Sequence, residues 1–84
     1  MKIAVRFFAS LRDAAGTAAI DVQLPEGARF ETLLQALEGQ LAPGALPALL
    51  ADNVRLARNQ DLITPPFALA DGDEIAFLPP VTGG

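Results

Sequence analysis

One helix-length apolar stripe constrains the fold of this chain more than any other pattern in it. The stripe repeats at intervals of three and four residues, which places its members on one side of an α-helix: Phe30, Leu33, Leu34, Leu37 and Leu41. Burial of each such side chain contributes roughly 1.5–3 kcal/mol. We therefore predict a main helix from about Arg29 to Glu38 that anchors the core and ends near Gly39.

The segments around this helix show the two-residue alternation of β-strands. Apolar and polar residues alternate across Met1–Phe8 and Thr17–Leu24, and shorter strand patterns cover Val54–Ala57, Leu62–Ile63 and Ile75–Leu78. One main helix on one mixed sheet predicts an α+β fold of the β-grasp type. In that topology the first and last strands are parallel neighbours.

Two shorter helical turns are predicted in the connections. The first covers Ser10–Gly16, with Ser10 as its cap and Gly16 as its left-handed exit. The second begins at Pro47, which suits the first turn of a helix, and runs through Leu50.

The sheet face away from the main helix is predicted to carry an apolar patch. Phe8 shares a strand face with Lys2 and Arg6, and Leu78 lies on the face opposite the core side of the last strand. If the first and last strands are neighbours, Phe8 and Leu78 meet on this outer face, and Leu62 joins them. Phe8 is then either a partly covered aromatic at a strand end or a docking hydrophobe.

The composition removes most kinds of chemistry. The 84 residues include no histidine, cysteine, tryptophan or tyrosine, which excludes Ser–His–Asp and Cys–His catalysis and the usual zinc sites. The net charge of −4 argues against a nucleic acid partner. No apolar run approaches the roughly 20 residues of a membrane span, and no secretion signal is evident. We expect one cytoplasmic domain.

The densest acidic cluster is Asp71, Asp73 and Glu74. Calcium loops use similar aspartate spacing, but here the glycine is misplaced and the distal glutamate is missing. We therefore predict a solvated hairpin turn at Asp71-Gly72 and no metal site.

The last ten residues, Ile75–Gly84, contain no charged side chain. Pro79 and Pro80 supply no backbone N–H, so the sheet should end there. The six residues 79–84, if extended, reach roughly 20 Å. Gly83 and Gly84 combine minimal volume with free backbone torsions, which suits a tip that enters another enzyme's narrow site. A frayed chain end has the same composition, so both interpretations stay open on the residues alone.

At this point the sequence resembles a known family. The segment Asp71–Gly84 resembles the C-terminus of the small, sulfur-carrier subunits of molybdopterin synthase, most specifically in its Pro-Pro-Val-Thr-Gly-Gly end. The opening Val5–Arg12, with Gly16, resembles that family's first strand and following turn. Asn59-Gln60 matches the turn before its last hairpin.

The chain departs from the family pattern in three places. Arg29 stands where a capping threonine is common, which predicts a weaker helix start. Leu78 replaces a frequent phenylalanine, a conservative change in an apolar patch. Residues 41–53 match only loosely.

The resemblance implies a ubiquitin-like β-grasp domain over residues 1–84, with 79–84 as a C-terminal arm. In this family the Gly84 carboxylate would be adenylated by an E1-like enzyme that uses ATP, and then converted to a thiocarboxylate. The arm would enter the active site of the large synthase subunit. There its sulfur would pass to the pterin precursor, cyclic pyranopterin monophosphate, to build the dithiolene of molybdopterin.

The resemblance also implies the roles of individual residues and the partners. Gly84 would carry the reacting group and Gly83 would be a steric gate. The large subunit and the E1-like adenylating enzyme would be the partners, with two large and two small subunits in the working heterotetramer. The chain itself would bind no cofactor and supply no catalytic side chain. The implied partner-binding residues are Phe8, Leu62, Leu78, Pro79, Pro80, Val81 and Thr82.

Three other functions are consistent with the sequence. A sulfur carrier for another product, such as the thiazole of thiamine, would also end in Gly-Gly, although Pro79-Pro80 speaks against it. A ubiquitin-like modifier joined to lysines of target proteins would use the same activated terminus. A binding module with an idle tail is the fourth possibility.

Overall fold

The computed structural model describes residues 1–80. Within them lie five strands: β1 (Lys2–Phe7), β2 (Ala19–Gln23), β3 (Arg55–Arg58), β4 (Asp61–Ile63) and β5 (Glu74–Leu78). The same residues form three helices: α1 (Ser10–Ala15), α2 (Phe30–Glu38) and α3 (Ala45–Leu49). Strands β1 and β2 are shorter than the predicted segments, β4 and β5 are each one residue longer, and β3 is shifted by one residue.

The strands make one mixed sheet in the order β2-β1-β5-β3-β4. Strands β1 and β5 are parallel, with Val5 opposite Ile75 and Phe7 opposite Phe77. Every other neighbouring pair is antiparallel. The predicted pairing of the first and last strands is confirmed, and the fold is the β-grasp that the patterns indicated.

Helix α2 covers one face of this sheet and forms the core with it. Its side chains Phe30, Leu33 and Leu37 are buried, as the stripe predicted, while Leu34 and Leu41 are half-buried at its margin. Three aromatic rings connect the helix to the central strands. The ring of Phe77 on β5 lies 5.6 Å from that of Phe7 on β1, stacked upon it, and 6.2 Å from that of Phe30.

The starts of α1 and α3 differ from the sequence prediction. Ser10 is the first residue of α1 and does not cap it; Ala9 precedes it with a φ of 50° and no capping hydrogen bond. Gly16 takes the predicted left-handed exit, with a φ of 83°. Helix α3 begins at Ala45, two residues before Pro47. Proline is tolerated there because the N–H groups of a first turn have no partner within the helix.

Helix α2 has its own capping arrangement in place of a threonine at position 29. The backbone N–H of Arg29 donates to the hydroxyl of Thr32 at 3.1 Å. The Thr32 hydroxyl, in the first turn of α2, thus provides a hydrogen-bond acceptor for the Arg29 N–H at the start of the helix.

The prediction of a solvated acidic turn is wrong at Asp73. This residue is only 8% exposed, and its carboxylate accepts hydrogen bonds from the Asn59 side chain and the Ala70 backbone N–H, each at 2.9 Å. Asn59 in turn accepts from the Glu74 backbone N–H at 2.9 Å. We call Asn59 and Asp73 the β5 clamp, because together they tie the β3–β4 turn to the first residue of β5.

Candidate functional site

One row of register partners crosses the outer face of the sheet, away from α2: Arg6, Ala76, Ala57 and Leu62. Residues paired in register point to the same face. Ala57 and Ala76 are each only 6% exposed although no helix covers them. Their small side chains lie low between longer neighbours, so the middle of the outer face is recessed.

The next row lies at the end of β5, where the arm begins. Leu78 is opposite Arg55 of β3. Phe8 follows β1, and its backbone N–H donates to the Phe77 carbonyl at 3.3 Å, which places Phe8 beside the end of β5. The guanidinium of Arg6 lies 5.1 Å from the centre of the Phe8 ring, a cation–π contact that orients the aromatic.

The end of the first row at Leu62 and the row at the end of β5 border a groove of about 830 Å³, which we call the arm-root groove. Ten residues line it: Phe8, Ala9, Asp52, Asn53, Val54, Arg55, Leu62, Leu78, Pro79 and Pro80. The structure therefore brings together all five of the predicted partner-binding residues that it describes. The parallel pairing of β1 with β5 brings Phe8 beside Leu78 and the two prolines that follow it. The β3–β4 hairpin supplies Leu62.

The groove leaves apolar surface open to solvent. Leu62 is 66% exposed, and Phe8, Leu78 and Pro79 are half-buried. Exposed apolar patches of this kind mark sites of contact with other molecules. The groove has the character of a binding surface, with Asp52 and Arg55 as its ionisable side chains.

The arm begins where the prolines predicted. Strand β5 ends at Leu78, and Pro79 and Pro80 follow outside the sheet. Val81, Thr82, Gly83 and Gly84 lie outside the described residues. The roles assigned to these four residues remain predictions.

Two further features of the described residues bear on function. Residues 1–80 contain no group of three or more histidine, cysteine, aspartate or glutamate side chains placed to hold a metal ion. No helix in this part of the chain has both the length and the apolar character needed to cross a membrane.

Comparison with known proteins places this geometry in a family. The model of the ThiS family matches residues 5–84. The chain belongs to the ThiS family. It is 43% identical to the molybdopterin synthase sulfur carrier subunit of Escherichia coli, over 98% of this chain and 99% of that protein.

Solved structures agree with this assignment and with a ubiquitin-like β-grasp fold. The crystal structure of SAMP1, the small archaeal modifier protein 1 of Haloferax volcanii, matches with a TM-score of 0.78 and 31% identity, over the whole of both chains. A chain from the complex of subunits 1 and 2 of the molybdopterin-converting factor of Helicobacter pylori matches with a TM-score of 0.72 and 27% identity, also over the whole of both chains.

The sequence patterns missed part of the groove in this ThiS-family chain. Residues 52–55 form one side of it, but 52–54 lie in a loop and 55 begins a four-residue strand. Neither segment has a motif of its own. The only signal available was the position of Arg55, whose strand neighbours predict a side chain on the outer face.

Proposed function

We propose that this chain is the sulfur-carrier subunit of a molybdopterin synthase, and that the Gly84 carboxyl group is its sulfur-bearing site. One observation carries the proposal: Phe8, Leu62 and Leu78 lie in one groove with Pro79 and Pro80, at the root of the segment that leads to Gly84. A partner that binds this groove holds the start of the arm at a defined point. The similarity to the Escherichia coli carrier over nearly all of both chains supports this role.

The first step is activation by an E1-like enzyme. A carboxylate oxygen of Gly84 attacks the α-phosphorus of ATP, and pyrophosphate leaves. A sulfur donor at the oxidation level of sulfide then displaces AMP from the carbonyl carbon, which leaves a thiocarboxylate. A carboxylate is a poor electrophile until it is activated in this way, so ATP is required by the partner and no cofactor is required by this chain.

The second step takes place in the large subunit. The arm enters the active site, and the thiocarboxylate sulfur passes to cyclic pyranopterin monophosphate to build the dithiolene. The bond between the sulfur and the Gly84 carbonyl carbon breaks as water adds to that carbon, which restores the carboxylate. Because a dithiolene contains two sulfurs, two such transfers are needed for each molybdopterin. Gly83 and Gly84 suit a narrow site because glycine adds no side-chain volume. The absence of charged side chains from Ile75 to Gly84 avoids the cost of burying a further ion with the arm.

The test is reconstitution with purified E1-like enzyme, ATP, a sulfide source, the large subunit and the pterin precursor. We expect intact-mass analysis to show one oxygen replaced by sulfur at the C-terminus, and molybdopterin to form. A chain without Gly84 should give neither product while retaining its fold. If the full chain never acquires sulfur under these conditions, the proposal is wrong.

Two other functions remain as alternatives. The similarity to SAMP1 favours a protein modifier; isopeptide-linked species in cells, with molybdenum-cofactor synthesis unaffected by deletion of this chain, would support that function. A carrier for the thiazole of thiamine would not bind the large synthase subunit, and that binding assay separates the two carriers.

A further inference from the structure

A second groove adjoins the arm-root groove at the edge of the sheet. It has a volume of about 490 Å³ and lies between the end of α3 and the β3–β4 hairpin. We call it the edge groove. Twelve residues line it, including Leu49, Leu50, Ala51, Leu56, Ile63 and Pro65.

The most exposed large apolar side chains of residues 1–80 both line the edge groove. Leu50 is 51% exposed and Leu62 is 66% exposed, and within these residues no other large apolar side chain is as exposed. Leu50 is held in place by the hydrogen bond from its backbone N–H to the Leu46 carbonyl, at 2.9 Å. Two exposed leucines that line one groove present a place for an apolar side chain of another molecule.

The two grooves form one continuous surface. Asp52, Val54, Arg55 and Leu62 line both of them. With ten residues around the first groove, twelve around the second and four in common, eighteen residues border the pair. A protein–protein interface of standard size uses about 20–30 residues on each side. The arm-root groove alone supplies at most half of this number, whereas the eighteen residues of both grooves approach it.

Arg55 is the cation at the junction. Among residues 1–80 the ion pairs are Lys2 with Asp21 and Arg29 with Glu31. Arg58 donates to the Ala68 carbonyl and lies over the ring of Phe67. Arg55 has no such contact within the described residues, and Asp52 on the same rim is not within ion-pair distance of it. A guanidinium exposed beside apolar side chains is suited to bind a carboxylate of a partner.

We propose that the large subunit of molybdopterin synthase covers both grooves, placing an apolar side chain between Leu50 and Leu62 and a carboxylate against Arg55. This inference rests on the proposed function and adds to it a second contact area and its chemistry. The large subunit is the occupant chosen because the Helicobacter pylori relative was solved in complex with its subunit 2. A partner that contacts both grooves would fix the orientation of the domain as well as the position of Pro79 and Pro80.

The first test measures the dissociation constant for the purified large subunit by titration calorimetry. We expect Arg55→Glu to raise the Kd by at least about tenfold and Leu50→Ser by about fivefold. Arg55→Gln should also reduce the dependence of the Kd on salt. Gln40→Glu is the matched control, since it changes the net charge by the same amount as Arg55→Gln and lies outside both grooves. Values for both Arg55 variants and Leu50→Ser within twofold of this control would overturn the proposal.

A second measurement uses the unaltered chain and so does not depend on the variants folding. Hydrogen exchange with and without the large subunit should show slower exchange at residues 50–56 as well as around Phe8 and Leu78. Protection confined to Phe8 and Leu78, or protection of 50–56 by the adenylating enzyme alone, would contradict the inference. The proposed function stands in either case if the chain acquires sulfur and supports molybdopterin formation; it fails only if those steps fail.

Discussion

The two ends of β5 are built in opposite ways. At its start the β5 clamp is polar and closed: the Asp73 carboxylate, the Asn59 amide and the Glu74 N–H are all hydrogen-bonded within the chain. At its end Leu78 lies in an apolar groove that is open to solvent. Only three residues lie between Glu74 and Leu78, so one short strand joins a fixed point to the surface that we propose binds a partner.

This difference assigns different tasks to the two ends. Satisfied buried polar groups define a single register, because any shift would leave a donor or acceptor unpaired. Exposed apolar side chains contribute little to the fold and are available for binding. Substitutions at the start of β5 should therefore change stability, and substitutions at its end should change affinity.

Asp73→Ala tests the closed end and should have the largest effect. It leaves the Asn59 amide and the Ala70 N–H without their acceptor, so the free energy of unfolding should fall by about 3 kcal/mol. Urea unfolding measures this change. Asp13→Ala, an exposed position on α1, should stay within about 0.5 kcal/mol of the original chain. If Asp73→Ala lowers the free energy of unfolding by less than about 1 kcal/mol, the β5 clamp does not stabilise the start of β5 as described.

Leu78→Asp tests the open end. A charge in the arm-root groove should weaken binding of the large subunit by about thirtyfold, or about 2 kcal/mol. Unfolding should change by less than about 1 kcal/mol, because Leu78 is half-buried on the face away from the core. Calorimetric titration gives the affinity, with Gln40→Glu as the charge-matched control. Unchanged affinity would show that the partner binds elsewhere.

Gly72→Ala probes the turn that leads into the clamp. Gly72 has a φ of 86°, and a Cβ there would meet no atom within 4 Å. Any loss must then come from the left-handed backbone, which costs an alanine about 1 kcal/mol. Gly39→Ala is the matched control, since its site is equally open and its φ is −89°; it should be neutral or slightly stabilising. Equal effects of the two changes on thermal unfolding would contradict this explanation.

Leu62→Ser should have the smallest effect on stability. With 66% of the residue exposed, the free energy of unfolding should change by no more than about 0.5 kcal/mol. The affinity for the large subunit should fall about threefold, because Leu62 lines both grooves. The same calorimetric titration measures this affinity, with Gln40→Ser for comparison. If Leu62→Ser changes stability but not affinity, Leu62 supports the fold and does not contact the partner.

Local pattern was sufficient for much of the fold. The stripe at Phe30, Leu33 and Leu37 predicted α2 and its buried face. The order of one helix and several strands predicted a β-grasp topology, and that topology predicted the parallel pairing of the first and last strands. Local pattern did not predict the burial of Asp73, because an acidic residue beside a glycine is typical of an exposed turn. The partner that buries it, Asn59, is fourteen residues away. The start of α3 was misplaced because proline is accepted at several first-turn positions.

The sequence by itself determined which residues were available for function. It contains no histidine or cysteine and no charged side chain from Ile75 to Gly84. The family resemblance adds that the main-chain carboxyl of Gly84 is the proposed site of chemistry. Only the tertiary structure decided which residues share the surface that we propose binds a partner. The arm-root groove joins Phe8, Leu62 and Leu78 with Arg55, and the edge groove adds Leu50. These residues are distant in the chain, and the strand pairing that brings them together depends on the whole sheet.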